Sequence, residues 1–219
     1  MADNKMRLYG ILILAGISLL VACGDKSNDK HRPAPQAPVE ETYQPPQNNL
    51  LINPDFESSS NGALVSWLLS QHTGAVSYKV SAEDGVVRIE RIDSEPWGML
   101  TQTLRPEAVL PLQGKRLRFS AELKAEFNPE YGAPFEASGM GLLLTGVPVG
   151  QFSRITAADI FEPVTQGEQN AGWRRYSVEL DIPDSNELVG LRLQMRFVMA
   201  DGGVLNIRRP YLIEVPQGE

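Results

Sequence analysis

Apolar and polar residues alternate one by one through four long stretches of this chain. In 191–197, Leu191, Leu193, Met195 and Phe197 stand against Arg192, Gln194 and Arg196. In 117–125, Leu117, Phe119, Ala121, Leu123 and Ala125 stand against Arg118, Ser120, Glu122 and Lys124. Val87 and Ile89 oppose Arg88 and Glu90, and Tyr176, Val178 and Leu180 oppose Ser177 and Glu179. A period of two puts one residue set on each face of a strand, so these segments predict strands with one buried face. Turn-forming residues separate them: Asn61-Gly62, Asp84-Gly85, Gln113-Gly114, Asp184-Ser185-Asn186 and Asp201-Gly202-Gly203. About ten such runs follow Asn49, and only 153–162 (SRITAADIFE) offers a short helix. No internal repeat recurs, which argues against a propeller or a solenoid. The expected fold is all-β, an antiparallel β-sandwich of jelly-roll type occupying residues 49–219.

The pattern upstream of Asn49 is different. Residues 11–22 (ILILAGISLLVA) carry no charge and follow Lys5 and Arg7. Twelve residues rise only about 18 Å as a helix, whereas a bilayer core needs about 20 residues. A basic start, a short apolar run and small residues at its end predict a secretory signal peptide over 1–22. Residues 24–48 hold Pro33, Pro35, Pro38, Pro45 and Pro46 and show no apolar periodicity. They predict a disordered, extended tether, because they bury too little surface to offset their ordering entropy.

Composition narrows the chemistry. The chain has 219 residues with 42% hydrophobic, enough for a core, and a formal charge of −7. An acidic balance argues against nucleic acid as a partner, since phosphate backbones need a basic footprint. With one cysteine, Cys23, neither an intramolecular disulfide nor a Cys-based zinc site forms. The two histidines are His31, in the tether, and His72, so a His-rich catalytic metal centre is not expected. No nucleophile elbow, phosphate loop or zinc-protease motif occurs, and the reading is of a binding protein rather than an enzyme.

Leu20-Val21-Ala22-Cys23 resembles the bacterial lipobox. The resemblance implies cleavage before Cys23, a diacylglyceryl group on its thiol and acylation of the new amino group, as with palmitate. Several acyl chains on one residue make a stable anchor. Gly24, in place of Asp, points to the outer membrane under the best-known sorting rule.

The domain segments also resemble, in order, carbohydrate-binding modules of the family 4/9/22 type, which have the galactose-binding-like jelly roll. The matching pieces are NLLINPDFES (49–58), Trp67, PWGMLTQTL (96–104), LPLQGKRLRFSAELKA (110–125), GWRRYSVELDIP (172–183) and GGVLNIRRPYLIEV (202–215). The resemblance implies a polysaccharide or glycan ligand held without chemistry. Trp97 matches a ligand-contacting aromatic of some members, and Gln102 matches a glutamine that commonly faces the concave sheet. Five residues is an odd spacing, so a bulge near Gly98 is needed to put both on one face. Two readings of Trp97 stay open, a ring against sugar or a ring packing its loop; Trp67 and Trp173 read as core.

Arg88, Arg118, Arg192 and Arg196 lie on polar strand faces, with Gln194 between the last two. On one concave sheet they form a cationic groove suited to acidic sugars; alternatively they pair across strands with Glu90, Glu122 or Glu179. Tyr131 and Phe135, in a long Pro/Gly loop, are candidates for the groove rim or for pinning the loop. Family members often bind a structural calcium through the opening loop, here Asn53, Asp55 and Glu57. Arg208 stands where the family often has Asp, which removes a carboxylate and adds a cation. Without calcium, Asp55 and Glu57 cap a turn and Phe56 is core. The runner-up function is a structural or adaptor lipoprotein whose sandwich binds an envelope or secreted protein.

Overall fold

In the computed structural model the alternating stretches become strands. The structure describes residues 43–72, 74–128, 138–149, 156–164, 172–184 and 188–216. Cys23, Tyr131 and Phe135 lie outside the described residues. Ten strands are present among those described: β1 (Leu68–Gln71), β2 (Tyr78–Glu83), β3 (Val86–Arg91), β4 (Trp97–Leu104), β5 (Arg116–Phe127), β6 (Gly139–Pro148), β7 (Ala157–Pro163), β8 (Arg174–Asp181), β9 (Leu188–Val198) and β10 (Gly203–Val215). One helical turn, Pro106–Val109, follows β4.

The strands form two five-stranded antiparallel sheets. The front sheet has the order β1-β4-β9-β6-β7 and the back sheet β2-β3-β10-β5-β8. The expected jelly-roll sandwich is therefore what the chain forms. Front-sheet residues Leu100, Leu142, Leu144, Leu193 and Met195 and back-sheet residues Val87, Ile89, Leu117, Phe119 and Ile207 are fully buried between the layers. Asp84-Gly85 joins β2 to β3 with both residues at positive φ, 49° and 74°. That matches a two-residue hairpin turn whose twist suits the flanking strands.

One segment departs from expectation. The 153–162 region offered a helix, but Ala157–Pro163 is strand β7, paired along the edge of β6 from Thr145 to Gly139. Its exposure alternates strictly, with Ala158 and Ile160 turned toward the core and Asp159 and Phe161 turned out. The ladder to β6 overrides the helix preference of Ala157 and Ala158.

Folded structure also begins before Asn49. The compact unit starts at Tyr43. The Tyr43 ring lies 4.6 Å from the Arg209 guanidinium carbon and 5.6 Å from that of Arg175, outside the back sheet. Burial raises the Tyr43 phenol above its ordinary pKa, against the opposing influence of Arg175.

Candidate functional site

The opening segment is fastened by its amides. Asn49 Oδ1 accepts from the Leu51 and Leu212 amides, and its Nδ2 donates to the Pro210 carbonyl at 3.1 Å. Asn53, at φ 53°, accepts from the Glu57 amide at 2.7 Å and donates to the Glu57 and Val65 carbonyls. Phe56 is buried, its ring 5.4 Å from that of Trp67, and the Trp67 indole N–H donates to the Asn53 carbonyl. The carboxamide that calcium would need is thus engaged in holding the loop. No group of three His, Cys, Asp or Glu side chains able to hold a metal occurs among the described residues.

Gln102 belongs to the same fastening. It is buried, its Oε1 accepts from the Ile52 amide at 2.9 Å, and its Nε2 donates to the Ile52 and Ser66 carbonyls. The register of β4 against β9 runs without a shift from Trp97 to Leu104, so no bulge intervenes. Gly98 serves the core instead: a Cβ there would sit 2.4 Å from the Phe197 ring. Trp97 and Gln102 consequently point to opposite faces, and Gln102 does not reach the groove.

The outer face of the front sheet carries the remaining candidates. Four ladder rows cross it through β4, β9 and β6. They run Trp97–Val198–Gly139, Met99–Arg196–Gly141, Thr101–Gln194–Leu143 and Thr103–Arg192–Thr145. Arg192, Gln194 and Arg196 therefore share a face with Trp97. Arg88 and Arg118 do not: they lie on the back sheet, where Arg88 pairs with Glu90 at 2.5 Å and Arg118 with Glu179 at 2.6 Å. A single groove lined by all four arginines does not form. Trp173 is not core either; it is half-buried, with the Arg208 guanidinium 4.3 Å from its ring centroid.

At one end of the front face is a cavity of about 690 Å³. Trp97, 47% exposed, and Phe161, 40% exposed, are among its walls, with Met99, Arg196 and Val198 between them. Trp97 is set from below: its amide donates to Glu95 Oε1 at 3.1 Å, and the Glu95 carbonyl accepts from the Tyr78 hydroxyl at 2.8 Å. Tyr78 is buried edge-on against Phe197, and that burial raises its phenol pKa. His72 Nδ1 stands 3.8 Å from Glu95 Oε2 at the rim.

Sequence reasoning missed the opposite wall. β7 lies close over the outer side of β6, where a Cβ on Gly141 would come within 1.9 Å of the Ile160 carbonyl oxygen. A Cβ on Gly139 would strike the Phe161 ring at 2.5 Å. Two glycines at alternate positions of a strand, in GMG (139–141), are the signal: glycine inside a strand marks a close approach of another chain segment. Phe161 thereby reaches in over the sheet, and the Arg196 guanidinium carbon lies 5.7 Å from its ring centroid. Arg196 Nη2 donates to Asp159 Oδ2 at 3.0 Å, while its Nε is buried with no hydrogen-bond partner among the described residues. Gln194 Nε2 contacts Met99 Sδ at 2.7 Å and Thr101 Oγ1 at 3.4 Å.

This arrangement offers an exposed aromatic ring at each side and planar polar groups between. Comparison with known proteins finds the same architecture elsewhere. No family model and no curated protein matches the chain. Among solved structures it is similar to a putative sugar binding protein from Bacteroides thetaiotaomicron, at 10% identity and TM-score 0.52, over 77% of this chain and 100% of that one. It is similar to the enzymatically active domain of tailspike protein 4 of bacteriophage CBA120, at 14% identity and TM-score 0.50, over 76% of this chain; the match spans only 21% of the tailspike chain. A xylan-binding domain from Paenibacillus barcinonensis aligns at 12% identity and TM-score 0.49, over 80% of this chain and 100% of that one. At these identities, the likeness to the first two is one of fold.

Proposed function

We infer that this chain is a lipid-anchored cell-envelope protein that binds glycan through the front face of its sandwich, without chemistry on it. The observation that carries the binding reading is the cavity between Trp97 and Phe161. Both rings are large and exposed, the Phe161 ring lies against the Arg196 guanidinium, and Met99 and Val198 add apolar lining. A pyranose has an apolar C–H face and a rim of hydroxyls. The ring walls take the first by dispersion and burial, and Arg196 and Asp159 take the second by hydrogen bonds. The Bacteroides protein of the same fold, described as a putative sugar binding protein, agrees with this reading but does not carry it. Anchoring rests on Leu20-Val21-Ala22-Cys23 and on the apolar run before it, and outer-membrane placement rests on Gly24.

The test is a glycan array followed by calorimetry on the full chain in mild detergent, with Trp97→Ala alongside. A buried aromatic anchor is worth about 2 kcal/mol at an interface, so Trp97→Ala is expected to weaken the best glycan roughly thirtyfold with little change in melting temperature. Absence of any glycan binding by the folded wild type at millimolar concentration abandons the sugar reading. Capture of an envelope protein through the same face would then favour the adaptor reading.

A further inference from the structure

We propose that the glycan taken by the front face is acidic, and that Arg192 reads a uronate carboxylate one step beyond the Trp97–Phe161 cavity. This deepens the proposed function and rests on it. The two outer faces of the sandwich treat their arginines differently. On the back sheet, Arg88, Arg116 and Arg118 each meet a carboxylate, Glu90, Asp181 and Glu179, at 2.5–2.7 Å. On the front face the ladder neighbours of Arg192 are Thr103 and Thr145, both neutral. Arg192 is exposed and has no ion pair among the described residues.

Arg196, two positions along the same face, shares a single carboxylate, Asp159, and leaves its Nε without a partner. Among the described residues of this face, Arg192 and Arg196 stand against Asp159, with Glu95 buried beside Trp97, on a chain of net charge −7. A threonine on either side leaves the guanidinium fork of Arg192 open to a planar, bidentate acceptor. A carboxylate presents that geometry.

Placement gives the length of the ligand. Arg192 and Arg196 are four residues apart on β9, about 13 Å at ~3.3 Å per residue. One sugar ring resting between Trp97 and Phe161 does not span that distance, so the acid belongs to another unit of a chain. The ligand class is therefore a polysaccharide with uronic-acid residues, lying along β9 from the aromatic cavity toward Arg192.

The experiment measures affinity of the full chain, in mild detergent, for tetrasaccharides of galacturonate, glucuronate and mannuronate. Each is compared with its neutral methyl ester and with a sulfated chain of the same length. A charge-assisted fork–fork contact predicts that at least one acid binds about tenfold more tightly than its ester. Arg192→Gln, which keeps a planar amide but removes the charge, is expected to bring that ratio close to one, and Arg192→Lys to restore part of it. Thermal melting confirms that the variants fold. Equal affinity for every acid and its ester overturns the proposal and leaves the glycan reading standing. An acid preference that survives Arg192→Gln overturns the role of Arg192. Sulfated chains binding as tightly as uronates, with Arg192→Gln weakening both alike, overturn carboxylate recognition. Failure of the folded wild type to bind any of the chains, charged or neutral, or any glycan on the array, removes both.

Discussion

The Glu122 carboxylate lies under three guanidiniums on the back sheet: Arg175 at 2.5 Å, Arg208 at 2.7 Å and Arg209 at 3.3 Å. Burial alone pushes its pKa up, but hydrogen bonds from Arg208 and Arg175 outweigh burial and hold it below the usual value. A carboxyl lowered in the folded state contributes stability above its unfolded pKa of about 4.3, and that contribution is lost as pH falls through the folded value. Glu122→Gln is expected to destabilise the protein by about 2 kcal/mol at pH 7, because it leaves clustered cations without their counter-charge. Urea unfolding at pH 7 and at pH 3 checks this: the gap between wild type and variant should shrink at the lower pH. A gap of unchanged size would mean the carboxylate charge contributes nothing. Parity along β4 carries a second lesson at this scale. The sequence pattern placed Trp97 and Gln102 five apart, and regular alternation alone puts them on opposite faces. The bulge needed to unite them is absent because Gly98 makes room for Phe197 in the core. What the pattern could not show is where the Gln102 amide goes. Its partners are the backbone of Ile52 and Ser66, fifty and thirty-six residues away in the chain.

Strands with one buried face were legible because their period is fixed by the pleat. β3 and β8 follow the alternation read from the chain; in β5 and β9 the apolar set is buried as read, but Ser120, Glu122 and Gln194 on the polar face are buried too. The strand β7 was not legible, since Ala157-Ala158 favours helix locally and only the ladder to β6 decides the matter. The groove wall was equally hidden, because it depends on what is missing from Gly139 and Gly141. Gly141→Ala tests that wall. Its Cβ would meet backbone at 1.9 Å rather than the tip of a flexible side chain, so β7 itself must move. Overpacking of this kind costs about 1–3 kcal/mol, and the displaced strand takes Phe161 with it. The expected result is a lower urea midpoint together with weakened glycan binding. Lost stability with unchanged affinity would show that Phe161 is no part of the site.

At the scale of the whole molecule, the proposed anchor and the proposed glycan site rest on separate residues, Cys23 and the front face. Tyr43 lies against Arg175 and Arg209 outside the back sheet, so the chain enters the domain on the side away from the Trp97–Phe161 cavity. Residues 24–42 separate Tyr43 from Cys23. Lipid attachment and glycan binding should then be independent. On the proposed anchoring, Cys23→Ser removes the thiol that would accept the diacylglyceryl group. It is expected to abolish incorporation of labelled palmitate and to leave the precursor at its unprocessed size. The same variant, purified in detergent, should bind the best glycan of the array as tightly as wild type, because no atom of the front face has changed. Normal processing and labelling in Cys23→Ser would refute the lipobox reading and leave the sandwich untouched. Loss of glycan affinity in Cys23→Ser would instead mean that the lipidated terminus itself contributes to binding, and would overturn that independence.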